Sequence, residues 1–130
     1  MAQDYRNLVV WQKAIELTVC TYKLTQSLPK DEIYGLSSQM RRASVSIASN
    51  IAEGRGRLNP REFRQFLGLA QGSTYELQTQ LVVVNRLRLT KSEDLEEATV
   101  LLEEISKMLH SFIHTLNSAA NRKEPLKARS

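Results

Sequence analysis

An all-α chain, folded as an antiparallel up-down four-helix bundle, is the fold class this sequence predicts, on three observations. Four segments repeat apolar residues at steps of three and four, the period of a helix face. Short, well-marked joints separate them, and short joints between long helices make sequential neighbours antiparallel. Only 5 Gly and 3 Pro in 130 residues leave few breakers for a many-turned sheet, and neither strand-length alternation nor an internal repeat is present. One domain over residues 1–120 is expected, followed by a flexible basic tail at 121–130 that Pro125 interrupts.

The first helix is expected over about 8–27, with Trp11, Ile15, Thr18 and Tyr22 on one stripe and Leu17 and Leu24 beside it. Pro29 stops it, because proline lacks the N–H that an interior turn needs. The second, about 35–54, carries Leu36, Met40, Ala43, Ile47 and Ile51, and ends in "EGRGR", where Gly54 or Gly56 can take the left-handed C′ conformation. The third, about 60–89, has the sharpest start. In "NPRE", Asn59 caps, Pro60 suits the first helical position and Glu62 sits where a capping box wants it. Phe63, Phe66, Leu67, Ala70, Leu77, Leu81 and Val84 then share one face. The fourth, about 92–120, opens with acids that complement the helix dipole. Its Leu95, Ala98, Leu102, Ile105, Leu109, Phe112 and Leu116 form a coiled-coil-like seam.

Composition bounds the function. A chain 42% hydrophobic and 25% charged is ordinary for a globular protein, and a net charge of +4 permits an acidic partner without demanding one. Cys20 is the only cysteine, which excludes an intrachain disulfide and a cysteine-built zinc site. The opening "MAQDYRNLVVW" does not read as a secretory signal, and no run approaches the roughly 20 apolar residues of a membrane span. A cytoplasmic protein with no membrane association is expected.

Two groups of residues qualify as candidate sites. Along the second helix, Arg42, Ser46, Ser49, Asn50, Glu53 and Arg57 form a polar line opposite the apolar stripe. Exposed helix faces usually carry long Glu, Lys and Arg, since Ser and Asn lower helix propensity. Short polar residues flanked by Ala43, Ala48 and Ala52 suit a surface that another backbone approaches closely, which favours a protein–protein contact over an idle wet face. The second group is arginine. Between Lys30 and Arg64 seven bases (Lys30, Arg41, Arg42, Arg55, Arg57, Arg61, Arg64) face four acids (Asp31, Glu32, Glu53, Glu62). The planar guanidinium fork suits phosphate. With few aromatics in that stretch, contact with a nucleic-acid backbone is favoured over base readout.

Other chemistry finds less support. His110 and His114 stand four apart on a helix, a spacing that can hold a metal, but no nearby motif supplies further ligands, so they read as a solvated face and no metal is expected. Glu53 and Glu76 could pair across a bundle, yet neither stands in the Glu-x-x-His arrangement of di-metal bundles. No phosphate loop, nucleophile elbow or Cys–His pair is present, so neither catalysis nor a cofactor is expected.

The run "YGLSSQMRRASVSIASNIAEG" at 34–54, with "EFRQFLGLAQGSTYELQTQL" at 62–81, resembles the four-helix-bundle family of 23S rRNA intervening-sequence proteins. The similarity extends over about 8–118, departing at Ala48, where many relatives carry proline. The resemblance implies a left-handed up-down bundle that assembles as a ring, typically a homopentamer. It marks Arg41, Arg42, Asn50, Glu53, Gly54, Ser73 and Glu76 as signature positions without a proven chemical role. The accessory protein of diversity-generating retroelements looks like a distant cousin, a basic pentameric bundle that binds nucleic acid and a reverse transcriptase. The partners implied are therefore further copies of this chain, RNA such as rRNA, and a nucleic-acid enzyme. The expectation drawn from residues and resemblance together is a non-enzymatic oligomer presenting arginine to RNA. The alternative is a protein-interaction scaffold or polymerase accessory without direct RNA recognition.

Overall fold

The computed structural model describes residues 4–129, with side chains through residue 119. Four long helices, α1 (Val9–Gln26), α2 (Ser38–Arg55), α3 (Pro60–Arg86) and α4 (Asp94–Arg129), account for most of it, and no strand occurs among the described residues. Each helix packs on two others, α1 on α2 and α4, α3 on α2 and α4. Cross-helix contacts place Thr18 with Ser44, Thr25 with Arg41, Ser46 with Ser73, Gln71 with Ser106, and Lys13 with Glu104.

The core follows the predicted stripes on α2, α3 and α4. Met40, Ala43, Ile47 and Ile51 meet Phe63, Leu67, Ala70, Leu77, Leu81 and Val84, and these meet Ala98, Leu102, Ile105 and Leu109. Leu36, Phe66, Leu95, Phe112 and Leu116 are half-buried at the margins. Helix α1 is rotated from expectation. Its core face is Val10, Ala14, Leu17, Thr21 and Leu24, whereas Ile15 and Tyr22 are exposed and Trp11 is half-buried. α1 carries two apolar sides about 100° apart, and the narrower one, with Ala14 and Thr21, lets its neighbours come close. The Thr21 hydroxyl, fully buried, donates to the Leu17 carbonyl at 2.7 Å, so burial leaves it satisfied.

Helix ends show where local chemistry ruled and where it misled. Asn59 caps α3 as expected, its Oδ1 accepting from the Glu62 amide at 2.9 Å, with Pro60 in the first turn. α3 stops at Arg86, short of 89, in a Schellman arrangement: the Arg88 amide donates to the Asn85 carbonyl and the Leu89 amide to the Val84 carbonyl, both at 3.1 Å. The left-handed residue there is Arg88 (φ 53°), so no glycine announces the end. Conversely, neither Gly54 nor Gly56 has positive φ. α2 is preceded by a wide turn at Ile33–Ser37 that breaks at Gly35 (φ −106°, ψ −105°), and it runs unbroken through Ala48. α4 continues as helix to Arg129 where a loose tail was expected. Ala119, Ala120, Lys123, Glu124 and Lys127 are strong helix formers, set against Pro125, whose missing N–H and ring clash cost a helix interior about 3 kcal/mol. The side chains of that segment lie outside the described residues.

Gly54 is a packing residue. A Cβ there would lie 2.7 Å from Phe66 Cβ and 2.9 Å from Phe63 Cδ1, distances that real contacts do not reach, with the Phe63 carbonyl at 3.3 Å. Glycine lets the last turn of α2 rest on the first turns of α3. Gly68 and Gly72 on α3 are the opposite case, with nothing within 4 Å of the Cβ position.

Gly54→Ala is therefore expected to destabilise the fold by about 1–3 kcal/mol through overpacking. Gly68→Ala, in a helix interior with open space, should stabilise it by about 0.5–1 kcal/mol. Urea midpoints at constant slope check both, and equal effects of one sign would contradict the assignment.

Candidate nucleic-acid interface

Four of the six arginines gather where α2 turns into α3, and aromatic rings position two of them. The Arg57 guanidinium lies 4.6 Å over the Phe66 ring, and that of Arg55 lies 5.8 Å over Phe63. Both rings belong to the pair that closes on Gly54, so the close helix approach and the arginine placement are one arrangement. Arg64 donates from Nη1 to Asn117 Oδ1 on α4 at 2.6 Å, and Arg61 is exposed on the first turn of α3. Arg57 remains exposed, whereas Arg55 is half-buried and belongs to the packing. The nearby acids Glu53 and Glu62 are both exposed.

Arg41 and Arg42 lie elsewhere, near the other end of α2, about 20 Å along the helix axis from Arg55. Arg41 is held by Thr25, whose Oγ1 accepts from Nε at 2.8 Å, and by Tyr22, whose ring centroid is 4.5 Å from the guanidinium carbon. Arg42 is exposed. The six-residue set is thus two sites on opposite ends of one helix. Sequence reasoning found the arginines but not their aromatic partners, because the rings come from α1 and α3. Steps of three and four within α2 cannot show them.

The polar line of α2 divides. Ser46 and Asn50 turn toward α3: Ser73 Oγ and Ser46 Oγ lie 3.0 Å apart, and Asn50 Nδ2 donates to the Ser46 carbonyl (2.9 Å) and to Ser46 Oγ (3.0 Å). The backbone that comes close to these short residues is α3 of the same chain. Ala43 and Ala48 are buried in the core. Arg42, Ser49, Glu53 and Arg57 face outward, as does Glu76, which accepts from Gln80 at a long 3.4 Å.

Among the described residues, one trio of potential ligands converges: Cys20, Asp94 and Glu97, with ligand atoms within 4.8 Å of one another. His110, His114, Glu53 and Glu76 belong to no such group, and all four are exposed. The Cys20 thiol donates to the Asp94 carbonyl at 3.3 Å. Burial, then the nearby charges of Glu97 and Asp94, push it from 9.0 up to about 11, so it stays a neutral thiol at ordinary pH. In the fold as it stands the thiol keeps its proton and packs beneath the first turn of α4. No helix of the described residues is long and apolar enough to cross a membrane.

Comparison with known proteins gives a consistent picture. The family model described as 23S rRNA-intervening sequence protein matches residues 6–111. No curated protein matches the chain significantly. A solved structure from Bacteroides thetaiotaomicron VPI-5482, a protein with unknown function from the S23 ribosomal protein family, is 27% identical. It superimposes with a TM-score of 0.74, covering 81% of this chain and 98% of its own.

The Cys20 environment makes stability depend on alkaline pH. An unfolded chain ionises the thiol near 9.0, whereas the fold keeps the proton until about 11. Between those values the unfolded state binds fewer protons, so this contribution falls as pH rises. Urea midpoints of the parent and of Cys20→Ala across that window should converge with rising pH. Curves that stay parallel would show the thiol to be unperturbed.

Proposed function

The chain belongs to the 23S rRNA-intervening sequence protein family, and we propose that it is a non-enzymatic, self-associating scaffold of the cytoplasm that binds RNA backbone. The observation that carries this reading is the gathering of Arg55, Arg57, Arg61 and Arg64 at the α2–α3 joint, with Arg57 held over Phe66 yet exposed. A guanidinium fixed over a ring loses less freedom when it meets a phosphate oxygen. Amides beside the cluster are few, exposed Gln65 and Asn59, whose Oδ1 is engaged as the cap of α3, so affinity is largely sequence-indifferent and electrostatic.

The cross-helix pairs named above run in opposite order along each adjoining pair of helices, which supports an antiparallel up-down bundle, here read as left-handed. Exposed apolar residues support self-association. Ile15, Val19 and Val45 lie on the α1–α2 flank, and Leu69, Val82 and Val83 lie on α3. Ile15, Val19 and Val45 on one side and the Val82–Val83 end of α3 on another are unlike surface patches, which suit a head-to-tail contact that closes into a ring when the rotation permits. A ring, such as a homopentamer, repeats the arginine cluster around one rim and concentrates its field. The same patches favour the second reading, a scaffold for a nucleic-acid enzyme that does not itself touch RNA.

Light scattering at micromolar concentration should give a mass several times that of one chain, and a strict monomer would end the ring model. Gel shifts on rRNA fragments over a salt series should show affinity falling steeply as salt rises. Arg57→Gln should flatten the salt slope by about one unit per chain and leave the melting temperature in place. Arg55 is unsuited to this test because it is packed. If Arg57→Gln binds as tightly as the parent with the same slope, the arginine end is not an RNA surface and the scaffold reading takes its place.

A further inference from the structure

We propose that the cleft between the end of α1, the 30–37 linker and the start of α2 binds a nucleotide, either free or as one unit of a strand. It lies at the opposite end of α2 from the arginine cluster and stands independently of the RNA reading above. The cleft measures about 930 Å³, within the range of small-molecule sites. Its lining includes Lys30, Arg41 and Arg42 and no carboxylate, and with Asp31 and Glu32 of the adjoining linker counted the region keeps a surplus of one positive charge. The other large cleft, between α3 and α4, is lined by Glu93, Glu96 and Glu103 against Lys91, so the positive character is specific to this one.

Two rings complete the chemistry. Tyr22 stands at the wall with Arg41 stacked on it, and Tyr34 is 96% exposed at the rim, an aromatic with no partner of its own. Arg41 is fixed by Thr25 and Tyr22, whereas Arg42 and Lys30 are exposed and available to phosphate oxygens. A base stacked on Tyr34 with its phosphate on Arg42 and Lys30 satisfies both features.

An unpartnered hydroxyl is the independent sign of a ligand. Ser37 lines the cleft, is only 5% exposed, and its Oγ bonds to nothing. Elsewhere in the helices, hydroxyls such as those of Thr21, Thr74 and Thr99 bond back to the carbonyl four residues earlier. The break at Gly35 denies Ser37 that option. Gln71 and Gln80 also leave an oxygen unbonded, but each uses its amide nitrogen, so their polar groups are partly satisfied. The hydroxyl lies just beneath the wall of a cationic cleft, closed to solvent, and rotation about its side-chain bond would turn this donor toward an anion or a base edge.

Calorimetric titration of the full chain with AMP, adenosine, inorganic phosphate and an oligo(A) hexamer tests the proposal. AMP is expected to bind at least about tenfold more tightly than either adenosine or phosphate, because only it uses ring and cation together. Tyr34→Ala, Arg42→Gln and Ser37→Ala should each weaken AMP by about five- to tenfold. Tyr34 is exposed, and Ser37→Ala removes an unsatisfied buried group, so neither lowers the melting temperature. Arg57→Gln should leave AMP binding unchanged. A hexamer far tighter than AMP, and weakened by Arg42→Gln but not by Arg57→Gln, marks a strand as the source, and equal affinity marks a free nucleotide. The proposal is overturned if AMP shows no heat up to about 5 mM, if phosphate binds as well as AMP, if the three cleft variants bind like the parent, or if Arg57→Gln weakens AMP as Arg42→Gln does.

Discussion

The missing Cβ of Gly54 is the constraint on which the arginine-rich end of this molecule depends. Only a hydrogen at that position lets the last turn of α2 lie on Phe63 and Phe66. The consequences run outward from that contact. Phe63 is drawn into the core and meets Phe112 of α4 edge-on, with ring centroids 5.1 Å apart. The outer faces of the two rings are left beneath Arg55 and Arg57. Core packing and surface charge are thus coupled through two aromatic side chains, one face apolar and the other polarised by a cation.

Charge is distributed with comparable economy. The first half of α4 carries five acids and one lysine, while the stretch from Lys30 to Arg64 carries the basic surplus. Among the described residues the ion pairs are few and peripheral, Asp4 with Arg6 and Lys13 with Glu104. Such exposed pairs contribute little to stability. The fold is held by its apolar seam and by polar contacts that satisfy themselves locally, such as Ser46 with Asn50 and Ser73. Arg42 and Arg57, which form no ion pair among the described residues, remain available for a partner.

Much of the architecture was legible in the sequence, and the exceptions have physical causes. The stripes of α2, α3 and α4 were readable because each helix has one apolar face, so period and core direction coincide. α1 has two such faces. Its aromatic one drew the assignment away from Ala14 and Thr21, where smallness matters more than hydrophobicity. The end of α3 was invisible because Arg88 adopts a conformation normally left to glycine, supported by two backbone hydrogen bonds. For the candidate site, the arginines were legible and what holds them was not. The rings beneath Arg41 and Arg57 are supplied by other helices, Tyr22 from α1 and Phe66 from α3.

Gly68 and Gly72 carry a consequence of a different kind. One helical turn apart, with open space around each, they bare a strip of α3 main chain to water near the middle of a 27-residue helix. Carbonyls on such a strip tilt toward solvent, and their helical hydrogen bonds lengthen. Most helices loosen first at their termini, but two glycines near the middle of α3 lower its helix propensity there as well. In an isolated chain the amides around Gly72 should trade their protons for deuterium sooner than those around Leu77 and Leu81, one to two turns further along the same helix. The outer surface of this fold thus has a soft midpoint lying over a rigid core.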